Sequence, residues 1–486
     1  MNFQPVLLIS DALFFLLIAL ATTGLVFAAR REHLRKAWHG VLADPTAMAA
    51  LAALLLFLGA ATLDSLHFRP ALPATAGAPA NTRTYYSVEV ESVLDLAMGN
   101  VRERREKSYS SPFAHTLFER QIVESGDGKR IRDYPRLKYG GAHLQNPLQE
   151  KSGDIALHTL QAALVATVVW SVLAFAITAA VARRKRTGLA DSARTIARGD
   201  SSLAWRAFLI SSGVLLLALL PLLWLNTYYH VFGTDRTGND VFYYAFKAMR
   251  TALLIGTLTS LVTLPLGIGL GLLAGYMGGW VDDVVQYIYT VISSIPYVLL
   301  IAASVLMMQV IIESHGDWFD TAAARADARL VSLCLIIGAI SWTSLCRLVR
   351  AETLKLRELD YVQAARAFGV KPLAIMRRHI LPNAFHIVLI TLVLDFSGLV
   401  LAEAVLAYVG VGVDSTTISY GVMINNARAE LAREPVVWWQ IAAAFVFMVL
   451  LVLAANLFAD AVRDAFDPRG RRFNRRATRR LARSAA

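Results

Sequence analysis

The chain has 486 residues, 56% of them hydrophobic and only 17% charged. That balance is too apolar for an ordinary soluble domain and points to a membrane protein. The formal net charge of +12 does not indicate nucleic acid, because Lys and Arg cluster beside apolar runs, the pattern of membrane loops on the cytoplasmic side.

Nine apolar runs are long enough to cross about 30 Å of hydrocarbon: 6–29, 46–64, 157–181, 206–226, 249–277, 281–311, 330–349, 385–409 and 437–460. The expected fold is therefore an all-α polytopic membrane protein with about nine transmembrane helices. The first run does not read as a cleavable signal. Its apolar stretch is long, Asp11 interrupts it, and the basic cluster "RREHLRK" follows it at 30–36. Asp11 is expected to pack or pair within the bundle. Residues 65–156 form a long polar segment that opens with a linker-like "RPALPATAGAPANT". A helix is expected over 88–98, then turn-rich sequence in which the serines of "SYSSPF" read as turn residues.

Basic segments at 30–36, 183–186 and 351–384, and the tail "RGRRFNRRATRRLARS", are placed on the cytoplasmic side. The N-terminus and the 65–156 segment then lie outside and the C-terminus inside. The chain divides into an N-terminal membrane region at 1–205, a core of six spans at 206–469 and a basic tail at 470–486. In the fifth run Gly267, Gly271 and Gly275 recur at four-residue spacing, so they share one helix face and let another backbone approach. That face suits plain helix packing or a surface that slides during gating. Asp395 and Glu403 lie inside the eighth run, where an ionisable side chain either pairs within the bundle or meets cargo. Cys334 and Cys346 are twelve positions apart in one run, about 18 Å along a helix, so they cannot bridge. No metal-ligand or redox spacing is read.

Between the seventh and eighth runs lies "YVQAARAFGVKPLAIMRRHILPNA" at 361–384. Gln363, Ala364 and Ala365 sit in a good helix former with small side chains. Gly369 suits a left-handed helix end, Pro372 the first turn of a second piece, and Pro382 the start of the next span. The expectation is two short helical pieces on the membrane surface, open to a partner. The alternative is a basic loop that only sets orientation.

The spacing of Gln363-Ala364-Ala365, Gly369 and His379-Ile380-Leu381-Pro382 resembles the EAA loop of ABC importer permeases, with Gln where that motif has Glu. The ending "RHILPNA" is similar to the dipeptide, oligopeptide and nickel branch. "GTDRTGND", with Gly233, Thr234, Asp235, Gly238 and Asp240, resembles that branch's external GTDxxGRD segment, with Asn239 in place of Arg. "GLLAGYMGGWVDD", "AEAVLAYVGVGV", "SYGVMI" and "NLFADAVRDAFDPR" resemble further segments in the same order, Tyr420 standing where Trp is usual. "KAWHGVLADPTAMAAL" is similar to the lead into the branch's first span, which makes two spans and the external segment an insertion after it.

The resemblance implies a six-helix importer core preceded by three extra helices and an extracytoplasmic segment, in a bacterial inner membrane. It implies a permease subunit for peptides or peptide-like solutes. Implied partners are a second homologous permease, two ABC ATPase subunits and an extracytoplasmic solute-binding protein, with lipid around them. No GxxxxGK(S/T) pattern occurs, and "SGDGKR" at 125–130 lacks the leading Gly and the final Ser or Thr. The chain is therefore not expected to be an enzyme. It is expected to hold no cofactor, ATP and Mg being bound by partner subunits. Two other readings compete: a membrane sensor, from the receptor-like "LADSARTIARGD" after a span, and an ion-coupled secondary transporter, for which no inverted repeat is evident.

Overall fold

The computed structural model describes residues 3–72, 86–99, 101–124, 130–319, 321–414 and 416–466. Most of the linker-like stretch, nearly all of "SGDGKR" and the basic tail lie outside the described residues.

In chain order the helices are α1 (Ile9–Arg30), α2 (Glu32–Ala43), α3 (Pro45–Asp64), α4 (Val93–Ala97), α5 (Pro147–Lys185), α6 (Leu189–Arg198), α7 (Trp205–Leu225) and α8 (Val241–Met277). They continue with α9 (Gly279–Ser294), α10 (Tyr297–Ser314), α11 (Ala322–Arg357), α12 (Asp360–Ala367), α13 (Pro372–Ile375), α14 (Leu381–Val409), α15 (Tyr420–Ala427) and α16 (Trp439–Phe466). Among the described residues nine helical stretches are long and apolar enough to cross a membrane. The sixth run is corrected. It is not one helix over 281–311 but α9 followed by α10, broken at Pro296. The proline removes a donor and pushes Ile295 into extended backbone at ψ 134°.

Two compact units alternate along the chain. One comprises Met1–Asp11, Met48–Leu253 and Ser415–Ala454, the other Ala12–Ala47, Leu254–Asp414 and Ala455–Ala486.

In the first unit, strands β1 (Phe3–Val6), β2 (His67–Pro70) and β3 (Glu91–Ser92) form an antiparallel sheet in the order β1-β2-β3. Phe3 pairs with Pro70 and His67 with Ser92. The helix expected over 88–98 is only the five residues of α4. Ser92 starts it late: its hydroxyl accepts from Asp95 N at 3.2 Å while the Asp95 carboxylate accepts from Ser92 N at 2.9 Å. A hairpin of β4 (Gln121–Glu124) and β5 (Arg130–Asp133) follows. Helix α5 has 39 residues, about 58 Å, far more than a bilayer core needs. Its polar first turns therefore extend beyond the apolar stretch. Further along, Trp170 donates to the Leu209 carbonyl at 2.8 Å and lies on Gly213, where a Cβ would meet its indole nitrogen at 2.8 Å.

In the second unit the glycine face of α8 lies against α11. A Cβ on Gly271 would sit 2.8 Å from the Cys346 carbonyl oxygen, and one on Gly275 2.8 Å from that of Arg350. Gly267 faces Leu345, and Gly338 of α11 faces Val262 in return. Gly269, off that face, meets nothing within 4 Å. Cys334 and Cys346 are both free and buried.

Candidate functional site

Helix α12 carries Gln363, Ala364 and Ala365. Val362 anchors it, buried in a cluster with Leu272, Leu356, Ile375 and Met376. Gln363 and Ala364 point to solvent and Ala365 is half-buried. The helix ends in a double-bonded turn: Gly369 N donates to Arg366 O at 3.0 Å and Val370 N to Ala365 O at 3.1 Å. Gly369 holds φ +75°, the left-handed value that such a cap needs. On either side of the turn Phe368 is 87% exposed and Leu373 72%.

The second piece is not a separate surface helix, which corrects the expectation. Pro372 starts α13, Met376–Ile380 form a π-helical turn, and α14 continues from Leu381. Pro382 has no N–H to give and its ring crowds the carbonyl one turn back. The wider π turn lets the helix pass the proline without ending. Asn383 donates to the His379 carbonyl at 2.7 Å and to the Tyr361 hydroxyl at 3.1 Å, tying α14 to α12. From "GLLAGYMGGWVDD", Asp282 accepts from Arg350 Nη2 at 2.6 Å, and Arg357 donates to Gly275 O at 3.1 Å. These bonds hold the foot of α11 beside the loop.

The segment 233–240 is clamped onto residues 106–111. Thr234 Oγ1 donates to Ser108 O at 2.8 Å and accepts from Ser110 N at 2.7 Å. Gly233 and Gly238 both have positive φ, and a Cβ on Gly238 would fall 1.8 Å from Glu106 O. Asp235 Oδ1 accepts from the backbone N–H groups of Thr237 and Asn239, each at 2.8 Å, closing the turn. Asp240 caps α8 by accepting from Tyr243 N at 2.8 Å, and its other oxygen meets His230 Nδ1 at 2.7 Å. Trp439 Nε1 donates to Thr234 O at 2.9 Å.

At the centre of this clamp Glu106, His230 and Asp240 are all buried. Burial alone would raise the Glu106 carboxyl. Hydrogen bonds from His230 and from the backbone of Lys138, Tyr139 and Gly140 hold it down instead, at about 2. Burial would likewise lower the His230 imidazole, but its bonds to Asp240 and Glu106 raise it to about 9. At neutral pH the ring is a cation donating from both nitrogens.

Two further groups fasten the start of α8. Arg250 Nη2 meets Asp11 Oδ1 at 2.6 Å, while His67 Nδ1 meets the other Asp11 oxygen at 2.7 Å. Arg250 also donates to Ser10 and Ser65, each at 3.0 Å. Lys247 pairs with Asp95 at 2.7 Å and with Asp64 at 3.3 Å. Asp395 is half-buried beside a cleft of about 10 Å³ lined by Ser260, Thr263, Ser341 and Leu345, room for about one water. Glu403 is buried two turns further along α14.

Sequence reasoning missed Glu106, Ser108, Ser110 and His230. Glu106 is hidden in the basic run "RERREK", and its partner His230 is 124 positions away. Only the family-like "GTDRTGND" marked the other half of the clamp.

The profile of the family described as binding-protein-dependent transport system inner membrane component matches residues 267–472. The chain is similar to the dipeptide transport system permease protein DppC of Bacillus subtilis (strain 168), 28% identical over 243 residues, covering 50% of this chain and 70% of that protein. It is also similar to the oligopeptide transport system permease protein OppC of Haemophilus influenzae, 30% identical over 243 residues, covering 50% of this chain and 71% of that protein. A solved chain of the MetNI methionine ABC transporter in inward-facing form aligns with TM-score 0.35 and 19% identity, over 46% of this chain and 97% of that one.

Proposed function

This chain belongs to the binding-protein-dependent transport system inner membrane component family, and from that premise we propose that it is the permease subunit of an ATP-driven importer of peptides or peptide-like solutes. It is a multi-pass inner-membrane protein that works with ATPase and binding-protein subunits. The observation that carries the reading is the loop at 361–382. Val362, Ile375 and Met376 root it in the bundle, while Phe368 and Leu373 stand in solvent on either side of a left-handed glycine. An apolar patch on a rigidly rooted turn is a surface made to be covered. We assign it to the ATPase, with Gln363, Ala364, Ala365 and Gly369 shaping the face and His379, Leu381 and Pro382 carrying motion into α14. Two ATPase copies would hold the ATP and Mg, since no phosphate-binding motif occurs in this sequence. A second, homologous permease would complete the translocation path.

Gly369→Val is the test. A β-branched residue in the left-handed region costs roughly 1–2 kcal/mol and loosens the cap. In the reconstituted complex, cargo-stimulated ATP hydrolysis is expected to fall by about tenfold, the factor that corresponds to 1.4 kcal/mol. Protein yield should hold. Unchanged stimulation together with unchanged co-purification of the ATPase would refute the docking surface.

The Lys and Arg distribution supports an outside N-terminus and an outside 65–156 segment. Val88 is 77% exposed, so Val88→Cys should react with a membrane-impermeant thiol reagent in intact cells. Labelling only after lysis would invert the orientation.

A further inference from the structure

Among the described residues one group of three ligand-type side chains lies outside the clamp and the loop: His143, Asp154 and His158. One donor atom from each lies within 4.8 Å of the others. Asp154 and His158 are one turn apart in the first turns of α5 and so share a face. His143 comes from the loop just before that helix. Its Nε2 is 2.9 Å from Asp154 Oδ2, and His158 Nε2 is 3.4 Å from Asp154 Oδ1. Ligands about 2.1 Å from a tetrahedral ion stand about 3.4 Å from one another. The His158 contact matches that spacing, the His143 contact is about 0.5 Å shorter, and the widest pair, held within 4.8 Å, needs to close by at most about 1.4 Å.

The surroundings hold the donors in place. His158 Nδ1 lies 3.2 Å from Gln161 Oε1, an acceptor for an Nδ1–H, and in that tautomer Nε2 is the atom that serves as a metal ligand. The ring of Tyr228 stacks on His158 at 4.1 Å, and the Tyr229 hydroxyl donates to Asp154 Oδ2 at 2.5 Å. The loop carrying His143 is fixed by Gly141 N donating to Tyr228 O at 2.9 Å.

We propose that His143, Asp154 and His158 form a site for a borderline divalent transition-metal ion, Zn²⁺ or its chemical neighbours, that staples the loop before α5 to the first turns of that helix. Two imidazoles and one carboxylate suit such ions, whereas Ca²⁺ and Mg²⁺ prefer oxygen-only sets. Three protein ligands leave a fourth position for water. No metal spacing is legible in the sequence, because Asp-x-x-x-His is common in helices and His143 joins it only through the fold.

The test uses the full chain, free of any tag, purified in detergent, stripped with chelator and dialysed against Zn²⁺. Bound zinc is counted by elemental analysis, and Co²⁺ substitution reports the ligand field in visible absorption. With ten histidines in the chain, the variants locate the ion. One equivalent should bind, His143→Ala/His158→Ala should lose it, and Gln161→Ala should weaken it roughly tenfold through the outer shell. Excess Mg²⁺ should not displace it. Absence of a tight equivalent in the wild type, full retention in the double variant, or displacement by Mg²⁺ would overturn the proposal. Metal-free circular dichroism and thermal unfolding check that the double variant folds. If it does not, His143→Ala alone decides, since His143 is 36% exposed in a loop: unchanged affinity and an unchanged Co²⁺ spectrum overturn the site.

Discussion

Gly238→Ala is expected to open the clamp between residues 233–240 and 106–111. Gly238 sits at φ +77°, where a Cβ costs roughly 1–2 kcal/mol by itself. That Cβ would also lie 1.8 Å from Glu106 O and 2.9 Å from Glu106 N. Both are backbone atoms, so no rotamer change relieves the overlap. The segments must part, which breaks the bond from Glu106 N to Gly238 O and pulls Glu106 away from His230. A buried cation is then left with one carboxylate instead of two. Together these effects should cost on the order of 3–5 kcal/mol. Gly99→Ala is the control: its φ is +67° but nothing lies within 4 Å. Thermal unfolding and proteolysis within 101–118 would be measured side by side. If Gly238→Ala lost no more stability than Gly99→Ala, the close approach would be irrelevant.

Asp11→Ala should be comparably damaging for a different reason. The Asp11 side chain is fully buried and takes bonds from Arg250 and His67. Among the described residues, removing it leaves the guanidinium with the hydroxyls of Ser10 and Ser65 and no carboxylate. Breaking a buried pair from one side typically costs about 3–5 kcal/mol, whereas replacing both partners with apolar groups is often near neutral. Asp11→Leu/Arg250→Met should therefore recover most of what the single change loses, in both yield and melting temperature. A double variant no better than Asp11→Ala would show that the pair is not the source of the loss.

The spans were legible because composition alone decides them: about twenty apolar residues cross a bilayer whatever their order. Where order matters, reading the sequence fell short. Pro296 breaks a run that looked continuous, and Pro382 fails to break one that looked divided, because the π turn before it absorbs the missing bond. The polar segment after α3 was opaque for a second reason. Its strands have two to four residues, and β2 pairs with β1, Pro70 opposite Phe3, although α1, α2 and α3 separate them in the chain. Its strongest bonds join residues more than a hundred positions apart, such as Ser110 with Thr234 and Lys247 with Asp95. No local pattern encodes such partners. Gly369 could be read, because a left-handed helix end leaves glycine as the fitting residue, and it holds φ +75°; Gly233 and Gly238 stood out only as members of a family-like motif, and the structure adds their positive φ.

The wide turn at Met376–Ile380 makes this stretch sensitive to length rather than to chemistry. A π turn closes its hydrogen bonds one residue later than an α turn does. Deleting a single residue there would let the helix tighten to regular geometry. The segment just before it, including Leu373, would then be driven to turn by about 100° around the axis of α14 and to draw in by about 1.5 Å, against the packing of Val362 and Ile375 that roots the loop. The loop would then show a different side to whatever rests on it, beyond the loss of the deleted side chain itself. In a chain of this kind a frameshift of one residue in register could silence the surface as thoroughly as cutting it off.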